Sequence, residues 1–96
     1  MIQVRQTDGF AAWLDSVEDR QARARIEIRI RRLSLGNPGD VKSVGNGVSE
    51  MRIDYGPGYR VYFSQRGAVL VVLLCGGDKR TQSRDIARAV EMARRL

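Results

Sequence analysis

The sequence has no histidine, one cysteine and two prolines. Without histidine the commonest general acid and base is missing, and with Cys75 as the only soft ligand a zinc site has almost nothing to draw on. A lone cysteine forms no internal disulfide, which suits a reducing cytoplasm. The longest apolar run, Ala68 to Cys75, has the length of a strand and falls well short of the ~20 residues a membrane helix needs. Met1 to Gln6 lacks the apolar block of a signal peptide, so the expected location is the cytoplasm and no membrane partner is expected. No repeat, low-complexity stretch or linker interrupts the chain. Any chemistry has to run on Arg, Lys, Tyr, Asp or Glu, with no cofactor implied.

What is present is positive charge. Seventeen cations face eleven acids for a net charge of +6, and all of the cations except Lys42 and Lys79 are arginine. The planar guanidinium suits bidentate contact with phosphate and keeps its charge on partial burial. A basic domain of this kind points to a polyanion, most often nucleic acid. An arginine-rich composition inherited from a GC-rich genome gives the same count. At 96 residues, 43% of them hydrophobic, the chain makes one globular domain spanning 1–96 with one modest core.

Periodicity orders the elements. Ile2 to Arg5 is a short strand. Thr7 then caps a helix whose face is Phe10, Trp13, Leu14 and Val17. Asp19 to Leu35 alternates like a strand at Ala22, Ala24, Ile26, Ile28 and Ile30. It also carries the helical face Ala22, Ile26, Ile30 and Leu33. Its length, its alanines and arginines, and the stop at Gly36-Asn37-Pro38-Gly39 favour a helix. Four strands come next as a meander: Asp40 to Val44, Ser49 to Asp54, Tyr59 to Ser64 and Ala68 to Leu74. Gly45-Asn46-Gly47, Gly56-Pro57-Gly58 and Arg66-Gly67 supply the turns. A last helix starts near Gln82, capped by Thr81, with Ile86, Ala89, Val90, Ala93 and Leu96 inward and Arg80, Arg84, Arg88 and Arg95 on the other side. The sum is an α+β domain with helices on one face of an antiparallel sheet.

Strand parity assigns the candidate residues. Met51, Ile53, Tyr55, Tyr59, Val61 and Phe63 face the helices, which leaves Glu50, Arg52, Asp54, Arg60 and Tyr62 on an open face. Such a set is either a phosphate-binding surface or ordinary cross-strand charge pairing. A second cluster, Gly76-Gly77-Asp78-Lys79-Arg80-Thr81, reads as a flexible glycine turn or as an anion site at a helix N-terminus. The arginines of the second helix, Arg20, Arg23, Arg25, Arg29, Arg31 and Arg32, are dispersed around it and read as a solvated surface. Cys75 reads as a small core residue.

The run Ser49-Glu50-Met51-Arg52-Ile53-Asp54-Tyr55-Gly56-Pro57-Gly58-Tyr59-Arg60-Val61-Tyr62-Phe63 resembles the HigB-like addiction module killer branch of the RelE/ParE toxin superfamily. Leu73-Leu74-Cys75-Gly76-Gly77-Asp78-Lys79-Arg80-Thr81-Gln82 with Asp85-Ile86 is the second match. Trp13-Leu14, Arg23-Ala24-Arg25-Ile26 and Gly36 to Lys42 extend the likeness over nearly the whole chain. The resemblance implies two N-terminal helices and a C-terminal helix packed on a curved, mainly antiparallel sheet. It implies the toxin of a type II toxin–antitoxin pair, held by a cognate antitoxin of the HigA-like helix-turn-helix kind. It implies a ribosome-dependent endoribonuclease (mRNA interferase) that inhibits translation by cutting mRNA without a metal, the 2′-hydroxyl attacking the adjacent phosphate.

On that resemblance Arg60 is the phosphate-contacting arginine, Arg52 stands where some relatives carry a basic lysine, and Lys79, with Arg80 as the alternative, is the late cation. Tyr62 completes the catalytic set, while Glu50, Arg80 and Arg84 bind substrate. Asp85 occupies the place of a late tyrosine, so proton transfer would fall to Tyr62 or Glu50, or to part of the site supplied by the ribosome, with charge stabilisation by Arg52, Arg60 and Lys79 carrying most of the rate. The competing readings are a ParE-like protein that poisons gyrase by binding it and a plain basic nucleic-acid-binding module.

Overall fold

The computed structural model describes residues 2–96. The elements are β1 (Gln3–Gln6), α1 (Asp8–Ser16), α2 (Arg20–Ser34), β2 (Val41–Gly45), β3 (Val48–Ile53), β4 (Tyr59–Arg66), β5 (Leu70–Asp78), a 3₁₀ turn (Lys79–Thr81) and α3 (Gln82–Arg94). Their order is the one the periodicity implies. The sheet is mixed, in the order β1-β5-β4-β3-β2, with β1 parallel to β5 and the other pairs antiparallel.

The caps explain where the first helices begin. Thr7 Oγ1 accepts from the Phe10 backbone N–H at 3.0 Å and donates to the Leu74 carbonyl at 2.6 Å, so one hydroxyl starts α1 and ties it to β5. Asp19 accepts from the Gln21 and Ala22 N–H groups at 2.9 and 3.3 Å. Capping of this kind is worth about 1 kcal/mol. The two periods in α2 resolve as helix: Ala22, Ile26 and Leu33 are buried while Ile28 stays 49% exposed. Gly36, at φ +88°, ends it by donating to the Leu33 carbonyl.

Both faces of the sheet are covered, and here the expectation of helices on one face is corrected. Met51, Ile53, Val61, Phe63, Val71 and Leu73 pack with Phe10, Val17, Ala22, Ile26 and Leu33 of the α1–α2 region. Val48, Tyr62, Val72, Leu74 and Cys75 pack with Ala89 and Ala93 of α3. The sheet is buried on both sides because α3 carries a second apolar stripe, which alternation in the strands alone cannot distinguish from an open face. Leu96, expected inward, is 56% exposed beyond the end of α3.

Two details at the end of β5 shape the surface around it. Tyr62 pairs with Cys75 while Phe63 pairs with Leu73, so Leu74 is an extra residue in β5. This β-bulge reverses the facing of the strand from Cys75 onward. Gly76 lies opposite Val61 on the α1 side and Gly77 opposite Arg60 on the α3 side. The strand continues through both glycines, and neither has a positive φ, so this is no flexible turn. Glycine is required there for space. A Cβ on Gly76 would lie 2.2 Å from the Trp13 ring, and one on Gly77 would lie 1.8 Å from the Asp85 carboxylate.

Cys75 sits in this second core, 1% exposed, and burial pushes its thiol pKa up to about 11. The native protein should therefore fail to react with a thiol reagent at pH 8 within minutes. The full thiol should titrate once denaturant is added. Stoichiometric reaction in the absence of denaturant would show that the α3 face opens readily.

Candidate functional site

Asp40, Arg52, Asp54, Gly56, Pro57, Gly58, Arg60 and Lys79 line an open groove of about 440 Å³ at one end of the sheet. Three stretches distant in sequence meet there: the β3–β4 hairpin, the start of β2, and the exit from β5. Arg52, Arg60 and Gly77 are register partners across three adjacent strands, and Lys79 comes directly after β5. Gly58, at φ +81°, closes the hairpin. A Cβ there would meet Arg60 Nη1 at 3.4 Å and Lys79 Cβ at 3.6 Å, so the glycine leaves both cations room.

Two arginines directly opposite each other repel, and each is met by a carboxylate. Arg52 donates through Nη2 and Nε to Asp40 Oδ1 at 2.7 and 3.2 Å. The hydrogen bond to Asp40 raises its already high pKa, so Arg52 stays protonated and stands in the groove as a cation, not a base. Arg60 is mostly buried, its side chain 12% exposed, with Nε 3.8 Å from Glu50 Oε1. Its Nη1 donates weakly to the Gly58 and Tyr59 carbonyls at 3.3 and 3.4 Å.

The open-face assignment fails for Glu50 and Tyr62, and for Arg60 in part, because α3 covers that face. Glu50 is 1% and Tyr62 0% exposed. The Tyr62 hydroxyl donates to Glu50 Oε2 at 2.9 Å, and Gln82 Nε2 donates to the same oxygen at 2.9 Å. Burial, and then the bond to Glu50, push the Tyr62 pKa well above the ordinary phenol range. Neither residue reaches a ligand in the groove, so neither is placed for proton transfer. Asp85 is also enclosed, 5% exposed and bonded to the Thr81 hydroxyl at 2.5 Å. The position that would hold a late tyrosine on the toxin resemblance thus points into the protein here.

Thr81 makes no capping bond to α3; its hydroxyl serves Asp78 and Asp85 instead. Asp78 caps the 3₁₀ turn through the Arg80 N–H at 2.9 Å and pairs with the Arg80 guanidinium at 3.0 Å. That side-chain bond, above all, holds the Asp78 carboxyl below its usual range. Arg80 and Arg84 line a second hollow of about 330 Å³, and Lys79 lines both it and the groove. The two therefore flank the groove without entering it.

The arginines of α2 are not uniformly solvated. Arg29 donates to the Arg52, Pro38 and Asp40 carbonyls at 2.6, 3.1 and 3.3 Å, fixing the groove's outer wall. Arg25 stacks over Tyr55 at 4.6 Å from the ring centroid, and the Tyr55 hydroxyl donates to Asp19 and Gln21 at 3.1 and 3.2 Å. Asp40 and Gln82 are the site residues that sequence reasoning missed. No local pattern marks either one, since each acquires its partner only across the sheet. Among the described residues no group of three or more His, Cys, Asp or Glu is placed to hold a metal ion. No described helix is long and apolar enough to cross a membrane.

The fold and the groove define a small basic α+β domain with an arginine- and lysine-lined concavity at one end of a doubly covered sheet. No protein-family model matches the chain. It is 50% identical over 95 residues to an uncharacterized protein of Haemophilus influenzae, a match that covers 99% of this chain and 96% of that protein. The chain belongs to the same family as that Haemophilus influenzae protein.

Proposed function

We propose that this protein is a toxin of the RelE/HigB kind, the killer component of a type II toxin–antitoxin pair, which cleaves mRNA on the ribosome. The observation that carries the reading is the gathering of Arg52 and Arg60 of the β3–β4 hairpin with Lys79 from beyond β5 around one open groove. Such a groove holds a phosphodiester and, more importantly, the extra negative charge that develops when the neighbouring 2′-hydroxyl attacks it, the P–O5′ bond breaking to leave a 2′,3′-cyclic phosphate and a 5′-hydroxyl, with one proton lost at the 2′-oxygen and one gained at the 5′-oxygen. Arg60 is the most enclosed of the three cations, with the Glu50 carboxylate behind it. Lys79 has no carboxylate within 4.0 Å among the described residues, so its charge is free for the ligand. Arg52 shares its charge with Asp40 and contributes less. The motifs at Ser49 to Phe63 and Leu73 to Ile86 add the family-level resemblance, and the net charge of +6 suits a ribosomal target. The cellular partners on this reading are the ribosome with its mRNA, and a co-encoded antitoxin.

Induced expression without the antitoxin should arrest bacterial growth and leave cuts in mRNA only where ribosomes translate it. Primer extension on RNA from induced cells reads this directly. Intact mRNA with accumulating DNA breaks would transfer the case to a gyrase-binding toxin. Unimpaired growth would leave a basic binding module.

A further inference from the structure

Glu50 is the buried charge that the groove itself does not explain. It is 1% exposed, on β3, cross-strand from Tyr62, and it has no route to a ligand. Its Oε2 accepts from the Tyr62 hydroxyl and from Gln82 Nε2, both at 2.9 Å. Both donors are neutral, and a neutral amide oxygen would satisfy them without the desolvation cost of a carboxylate. A full negative charge at this place is of use only to a cation. The cation within 4.0 Å is Arg60, whose Nε lies 3.8 Å from the other carboxylate oxygen. That Nε is buried and has no hydrogen-bond partner. The pair is thus electrostatic, and it leaves the outward face of the guanidinium uncommitted to any protein carboxylate.

We infer that Glu50 is a positioning residue: from beneath the groove its carboxylate holds the Arg60 guanidinium in place, so that the cation's outer donors meet a phosphodiester oxygen already aimed. Gln82 and Tyr62 hold the carboxylate, and through Gln82 the start of α3 is linked to the same unit. The inference rests on the groove being the phosphate site of the proposed toxin. A guanidinium held in advance keeps its geometry as charge develops on the phosphate, whereas a loosened one has to be reorganised.

The test compares mRNA cleavage rates on translating ribosomes for the full-length protein and the variants Glu50→Gln, Arg60→Lys, Gln82→Ala and the double variant Glu50→Gln/Arg60→Lys. Arg60→Lys keeps a cation but removes the Nε that faces Glu50. Glu50→Gln should slow cleavage about tenfold or more, the scale of a misaimed catalytic contact, and should add nothing in the Arg60→Lys background. Gln82→Ala takes away one of the two donors that hold this carboxylate but leaves its charge, so it should slow cleavage less than Glu50→Gln does. An equal loss from Glu50→Gln in both backgrounds, or a Gln82→Ala loss as large as that of Glu50→Gln, would mean that Glu50 only supports the fold, and the inference would be overturned. Undiminished cleavage by Arg60→Lys strikes instead at the groove as the phosphate site, and takes this inference with it.

A second measurement needs no Glu50 variant. The ¹⁵N signal of Arg60 Nε–H, assigned by its loss in Arg60→Lys, should exchange slowly with solvent and move as inorganic phosphate is added. A signal that exchanges like those of surface arginines and ignores phosphate would equally overturn it.

Discussion

Gly76→Ala should lower the melting temperature by roughly 12–24 °C, on the basis of about 3 kcal/mol at roughly 4–8 °C per kcal/mol for a domain of this size. The new Cβ would lie 2.2 to 2.4 Å from three atoms of the Trp13 indole, a distance at which something has to move. The indole is rigid, and it is itself wedged against Phe10 and Tyr59, with ring centroids 5.7 and 6.4 Å away. Relief therefore requires α1 to shift as a body or β5 to buckle next to the groove. Gly67→Ala is the proper control. Gly67 has a positive φ, +68°, but a Cβ there meets nothing within 4 Å, so its cost is the left-handed backbone alone, about 1–2 kcal/mol. Thermal unfolding of the two variants decides the matter. A Gly76→Ala shift no larger than that of Gly67→Ala would mean that Trp13 has room to give. A smaller bulk at position 13, as in Trp13→Leu, should reduce the penalty of Gly76→Ala, because the two sites are coupled through one contact.

On the proposed toxin function, Arg60→Ala and Lys79→Ala should each reduce toxicity and mRNA cleavage by about 10²–10³, the scale on which removal of one charge-stabilising donor acts. Their effects on stability should differ sharply. Lys79 is exposed and unpaired among the described residues, so truncation should stay within about 0.5 kcal/mol. Arg60 balances a carboxylate that is 1% exposed, and its removal leaves that charge uncompensated, costing about 3 kcal/mol even with Tyr62 and Gln82 still bonded. Arg60→Ala alone thus confounds folding with function. Lys79→Ala, together with Arg60→Lys, separates them. Growth on induction and melting temperature are the two readouts. Full toxicity in a folded Lys79→Ala protein would exclude this groove as the place where the phosphate is held.

The elements were legible in the sequence because each rests on short-range physics. Thr7 caps the helix it precedes, glycines mark the turns, and the stripe Phe10, Trp13, Leu14 and Val17 is a helix face under any tertiary arrangement. The parity of Arg52 and Arg60 was equally legible, since alternation in a strand is local. Parity gives a face, however, and not what lies over it. Whether Glu50 and Tyr62 look at solvent depends on where α3 docks, and nothing within ten residues of either records that.

Composition and periodicity by themselves determined one basic α+β domain, its strand and helix order, and the shared strand face of Arg52 and Arg60, while Lys79 joined them only through the family resemblance. The tertiary structure alone decided that α3 closes the second face of the sheet and turns Glu50 and Tyr62 from surface groups into a buried support. It decided that Asp40 draws off part of the charge of Arg52, and that Gly76 and Gly77 are spaces for Trp13 and Asp85 and not a hinge. The reason is range. Caps, turns and alternation act over a few residues and are written in adjacent letters. A buried ion pair or a missing Cβ is set by which atoms arrive from far along the chain, and that is fixed only when the layers pack.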